Sequence, residues 1–169
     1  ARVLAGKGVF FDPHPSEGKI QLKAANRGLL KVDVDALTRI NLVPDISCSS
    51  RHTNTVVEHE DIIAGVRAIP LIIDEKNLEK AEKIAMETED FFSVKPFLTP
   101  NTGLVITGNE VFSGLINDKF APIIRNKLQA FDCSIMGIAF APDHRQQIVS
   151  EIEKFIQDGA EMIVVAGGM

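Results

Sequence analysis

Gly103-Leu104-Val105-Ile106-Thr107-Gly108-Asn109-Glu110 sets an apolar run directly against a small polar turn. Met162-Ile163-Val164-Val165-Ala166-Gly167-Gly168 repeats the arrangement later in the chain. Two strands that each end in a glycine-bearing turn describe the rim of a parallel sheet, the edge at which open α/β folds hold their ligands. Glycine lets backbone N–H groups approach a ligand closely, and a neighbouring carboxylate can hold a cation or a hydroxyl. Spacing alone leaves open whether both turns share one pocket, because the strand order decides that. Between the two runs the chain alternates strand and helix patterns, as a parallel sheet requires. Phe120, Ile124, Leu128 and Phe131 stripe one helix, with Pro122 tolerated in its first turn. Ser134 to Ile138 reads as the next strand, and Ile148, Ile152, Phe155 and Ile156 stripe a second helix that Gly159 closes. The fold class expected for residues 103–169 is therefore α/β, with helices on a mainly parallel sheet.

Upstream, the pattern is different. Residues 1–74 read as a smaller, mainly β segment. Ile20, Leu22 and Ala24 alternate with Lys19, Gln21 and Lys23, the period of a half-buried strand. Asn26-Arg27-Gly28 then predicts a turn into a hairpin partner, Leu29 to Val32. Val34, Leu37 and Ile40 have the spacing of a short helical turn. Ile62 to Ile73 is rich in β-branched residues, with Gly65 a candidate bulge and Pro70 marking an edge or bend. Residues 75–102 read as a helix and a linker. Leu78, Ala81, Ala85, Thr88 and Phe92 share one helix face, and Lys95 to Asn101 carries two prolines and holds the expected domain boundary.

The 169 residues are 45% hydrophobic and 24% charged, with a net charge of −5, so a packed core is expected and disorder is not. The acidic balance and the absence of Trp and Tyr disfavour nucleic-acid binding. Cys48 and Cys133 form no metal-ligand or redox spacing and read as reduced thiols. No secretory signal or membrane-length apolar run is legible, so the expected location is cytoplasmic, with no membrane partner. The chain starts without Met and stops just after a strand and its glycine turn. That predicts a fragment of a longer protein, truncated within the domain at 103–169.

Several residues could carry chemistry. Glu110 follows the Thr107-Gly108 turn, so its carboxylate is placed to meet a ligand or simply to face solvent. Asn109 and Ser113 can hydrogen-bond a polar ligand or form a local turn. Asp143-His144-Arg145-Gln146 has capping-box spacing, which makes Asp143 a helix cap that also sits on the rim. Gly167 and Gly168 suit a phosphate held by N–H groups. Glu58-His59-Glu60-Asp61 reads as a solvated turn rather than a metal site. Ser49 to Asn54 reads as an exposed loop, though polar enough to meet an oxyanion. No phosphate loop or hydrolase serine elbow is present.

Taken together, Val105 to Glu110, Gly114-Leu115-Ile116-Asn117-Asp118, Asp143 and Val164 to Met169 resemble the molybdenum-cofactor biosynthesis domain. Molybdopterin molybdotransferases of the MoeA type, the gephyrin E-domain and related adenylyltransferases share that domain. Asp61 to Gly65 leading to Ile69-Pro70-Leu71 resembles, more loosely, the β-rich part that precedes it in MoeA-like proteins. The resemblance implies a three-layer αβα sandwich binding molybdopterin, or its adenylylated form, and homo-oligomeric assembly. It implies that Thr107, Gly108, Asn109, Ser113, Gly167 and Gly168 bind the cofactor. Glu110 and Asp143 would be catalytic and would hold Mg²⁺ or orient molybdate. Insertion of molybdate into molybdopterin is the implied reaction. A non-catalytic pterin-binding regulator or carrier, and a CinA-like nucleotide amidohydrolase or pyrophosphatase, are the alternatives. Asn109 stands where the pattern usually has Asp, and Asn117-Asp118-Lys119 replaces Asp-Thr/Ser-Asn. The pattern's downstream Asp lies beyond the sequence.

Overall fold

The computed structural model describes residues 1–167, which form two compact units, Ala1–Phe97 and Leu98 onward. In the second unit, strand β8 (Asn101–Thr107) is central, with β9 (Ser134–Ala141) on one side and β10 (Met162–Gly167) on the other, all parallel. A short helix α3 (Asn109–Phe112) and helix α4 (Phe120–Gln129) carry the chain from β8 to β9. Helix α5 (Arg145–Gln157) carries it back across β8 to β10. One crossover moves to one side and the next to the other. Right-handed connections therefore place α4 and α5 on opposite faces of the sheet.

The side chains agree, because alternate residues of a strand face opposite ways. Leu104 and Ile106 are buried against Ala121 and Ile124 of α4. Gly103, one residue out of phase, lies under the Phe155 ring of α5, and Gly137 of β9 sits beneath the same ring. A Cβ on Gly103 would come within 2.5 Å of Phe155 Cγ. The two glycines thus form the slot that lets α5 approach. At the far end of α5, Gly159 has φ 90° and the N–H of Ala160 donates to the Phe155 carbonyl at 2.8 Å, closing the helix as expected.

The first unit holds two antiparallel sheets. One has the order β1 (Val9–Phe11), β2 (Lys19–Ala24), β6 (Ile62–Ala68), β4 (Ile46–Ser50). The other places β3 (Gly28–Val32) between β5 (Val56–Val57) and β7 (Phe92–Pro96). The expected hairpin of β2 with β3 is not formed. Asn26 to Gly28 instead sends the chain from one sheet into the other, and β2 pairs with β6. The bulge lies at Ile63, between the pairs Leu22↔Ala64 and Lys23↔Ile62, rather than at Gly65.

Helix α2 (Glu75–Met86) ends before Thr88, and Phe92 starts a strand rather than extending the helical stripe. Ala81, Ile84 and Ala85 of α2 and Phe91, Phe92 and Val94 around β7 all enter the first unit's core. Helix and strand therefore belong to that unit. Helix α1 (Val34–Asn41) is capped by Asp33, whose Oδ1 accepts from the Ala36 N–H at 2.9 Å. Its last residue, Asn41, meets edge strand β4: the side-chain amide donates to the Cys48 carbonyl and accepts from the Cys48 N–H, both at 2.8 Å. The amide thereby supplies the partner that an edge strand lacks.

Two outcomes test this packing. Gly103→Ala should cost about 2 kcal/mol through overpacking against Phe155. Adding Phe155→Leu should recover part of that, measured by a denaturation double-mutant cycle. Burial pushes the Cys48 thiol up to about 11 from its ordinary 9.0. Thiol reagent at pH 8 should modify Cys133 in the folded protein and reach Cys48 only on unfolding. Above pH 9 the unfolded chain releases a proton that the native thiol keeps, so stability should fall between pH 9 and about 11.

Candidate functional site

The parallel order brings the ends of β8, β9 and β10 to one rim, since Thr107 pairs with Ala141 on one side and Gly167 on the other. A Cβ on Gly167 would overlap the Thr107 carbonyl and hydroxyl, so glycine is what permits this approach. Gly168 lies outside the described residues. Beyond Thr107 the β8 and β9 turns stay joined. The Gly108 N–H donates to the Ala141 carbonyl at 3.1 Å, and the Asp143 N–H donates to Asn109 Oδ1 at 3.1 Å. Gly108 reaches this position with φ 148°, a conformation open to glycine.

A cavity of about 450 Å³ opens on this rim. Thr107, Gly108 and Glu110 contribute from the β8 turn and Asp143 from the β9 turn. Val111, Ile116 and Phe120 give it apolar walls, while Asn117 and Lys119 add polar groups from the segment leading into α4. Its size and its mix of apolar wall with a few convergent polar groups suit a small-molecule site. Glu110 and Asp143 are both exposed. With Lys119 they give a mouth that offers two carboxylates and one ammonium.

The structure separates the expected site residues. Thr107, Gly108, Glu110 and Asp143 line the cavity; Gly167 stands behind Thr107. Asn109 does not line it and braces Asp143 instead. Ser113 also lies outside: its hydroxyl donates to the Asn109 carbonyl at 2.6 Å. The helix-capping reading of Asp143 is corrected. Helix α5 starts at Arg145 with His144 at its cap position, and no side chain caps it. Asp143 is held one residue too early, by its N–H bond to Asn109.

Sequence reasoning missed Asn117, Lys119 and the apolar wall. Their signal was the turn before α4, where Asp118 accepts from the Phe120 N–H at 2.8 Å and from the Ala121 N–H at 3.1 Å. That carboxylate occupies the start of α4, which leaves Lys119 as the cavity's cation.

Among the described residues no three His, Cys, Asp or Glu side chains gather into a metal cage. Two carboxylates on one cavity do match the usual manner of holding Mg²⁺, by one or two carboxylates with phosphate and water completing the shell. A cavity of about 490 Å³ along β9, between Arg125 and Gly137, is lined without any carboxylate. Asp61 of the first unit is engaged structurally. It accepts from the Glu58 N–H and from Arg51, each at 3.0 Å, and these bonds hold its carboxyl below the usual range. No helix among the described residues is long and apolar enough to cross a membrane.

The family described as "Probable molybdopterin binding domain" matches residues 103–169. The chain is 29% identical over 69 residues to the molybdenum cofactor biosynthesis bifunctional protein of Chlorobaculum tepidum, covering 41% of this chain and 22% of that protein. It is 28% identical over 72 residues to the CinA-like protein of Mycobacterium tuberculosis, covering 43% of this chain and 17% of that protein. No solved structure matches. The family match and the rim cavity both fall within residues 103–169, and the chain spans less than a quarter of the length of either relative.

Proposed function

We propose that the cavity between the β8 and β9 turns binds molybdopterin, or its adenylylated form, and that the whole protein acts in molybdenum cofactor biosynthesis in the cytoplasm. The observation that carries this reading is the convergence of Glu110, Asp143 and Lys119, from three separate segments, on one cavity. The pterin packs against the apolar wall of Val111, Ile116 and Phe120. Its anionic phosphate is drawn to the Lys119 ammonium.

Glu110 and Asp143 are the groups that would hold Mg²⁺. Held there, the ion would supply positive charge to offset the negative charge of the ligand. Insertion of molybdate, as in MoeA-like proteins, is the finer reading. There molybdate is the second substrate: Lys119 would draw the anion in and the two carboxylates would limit, by repulsion, where it meets the bound pterin, while the apolar wall thins the water around it. The likeness to CinA-like proteins favours a second reading, in which the same cavity takes a nucleotide phosphate ester.

Titration of the protein with molybdopterin, followed by molybdate and Mg²⁺, separates these readings. Binding and insertion support the transferase. Binding without insertion leaves a pterin carrier or regulator. Nucleotide hydrolysis without pterin binding supports the second reading. Glu110→Ala should weaken molybdopterin binding about tenfold or more, the loss of one or two charge-assisted contacts, with little change in melting temperature. Asp143→Ala should behave the same way. A drop of several degrees in that variant would match the roughly 1 kcal/mol of a lost helix cap and would contradict the free carboxylate described above.

A further inference from the structure

We propose that Asn109 is a positioning residue: its amide oxygen pins the Asp143 turn so that the Asp143 and Glu110 carboxylates face the same cavity. This rests on the ligand reading above. The β8–β9 ladder ends at Thr107 and Ala141, and the Gly108 N–H to the Ala141 carbonyl is its last backbone rung. The next residue of the β9 turn, Pro142, has no N–H to offer. The N–H of His144 turns back to the Pro142 carbonyl at 2.6 Å. Asp143 therefore holds the one N–H of this turn that can reach across to the β8 turn, and Asn109 Oδ1 accepts it at 3.1 Å.

Of the two ends of the Asn109 amide only the oxygen can accept, so this bond also fixes which way the amide lies. Asn109 is itself held, since its carbonyl accepts from the Ser113 hydroxyl at 2.6 Å and from the Ser113 N–H at 3.0 Å. The brace thus runs from α3, which carries Glu110, to the turn that carries Asp143.

Charge gives the choice of Asn its chemistry. Aspartate is isosteric and accepts the same N–H, but it would put a third carboxylate beside Glu110 and Asp143. Among the described residues Lys119 is the one cation lining the cavity, and with the two carboxylates it gives the mouth a net charge of −1. An Asp at 109, the residue usual at this place in the pattern, would keep the brace and add a screened negative charge outside the cavity. The neutral amide supplies the brace without that charge.

The test uses Asn109→Ala, Asn109→Asp and Glu110→Ala, each first confirmed as folded by its melting temperature. In the ligand-free protein, Asn109→Ala should speed hydrogen exchange at the Asp143 amide about tenfold, the loss of one hydrogen bond. Asn109→Asp should restore it. Molybdopterin affinity should fall about tenfold in Asn109→Ala and return to within about threefold of the parent in Asn109→Asp, the remainder being screened surface repulsion.

If Asn109→Ala leaves affinity unchanged while Glu110→Ala lowers it, the cavity is the site and the brace is overturned. If neither variant lowers affinity, the site reading itself fails and the inference falls with it. If Asn109→Ala lowers affinity but Asn109→Asp does not recover it despite a restored Asp143 amide, Asn109 touches the ligand directly and the positioning role is overturned.

Discussion

Strand β8 runs parallel to a neighbour on each side, and that constraint organises the second unit. A parallel central strand has both faces covered by crossover helices, which explains why Thr102 to Ile106 is buried throughout. The same arrangement gathers the ends of three strands at one rim. It also demands that α5 come close to the sheet, and Gly103 and Gly137 meet that demand by leaving room for the Phe155 ring. The rim cavity exists because those strands are held level there. Its polar groups are then set by short-range bonds between the β8 and β9 turns.

Those bonds explain where the reading of Asp143 departed from the structure. The spacing Asp143-His144-Arg145-Gln146 fits a capping box, and local geometry alone would favour it. A cap, however, needs its backbone to lead straight into the helix. The Asp143 N–H is tied across the rim to Asn109, so Asp143 belongs to the turn, and α5 begins uncapped at Arg145. A tertiary bond to a residue in another strand's turn overrides a pattern confined to four consecutive positions.

The first unit shows the same limit for strands. Alternation in Lys19 to Ala24 correctly marks a strand with Leu22 and Ala24 inward. Its partner was not legible, because pairing with β6 joins residues 39 to 48 positions apart and nothing in the intervening turn chemistry encodes it. The helix stripe from Leu78 to Ala85 was legible for a similar reason: periodicity is local. Its extension to Phe92 failed because β3 offers that residue a ladder position opposite Val32, and a buried strand in the core outweighs a further helical turn.

Local pattern in the chain was enough to establish alternating strands and helices after Gly103, the glycine turn at Thr107-Gly108, and the exposed carboxylate of Glu110. Each follows from side-chain period or backbone freedom within a few residues. Tertiary structure alone decided that Asp143 and Lys119 meet Glu110 at one cavity, and that Asn109 reaches across to the Asp143 turn. Such assignments depend on which strand ends become neighbours, and strand order follows from the covering of both sheet faces, a condition no short stretch of residues contains.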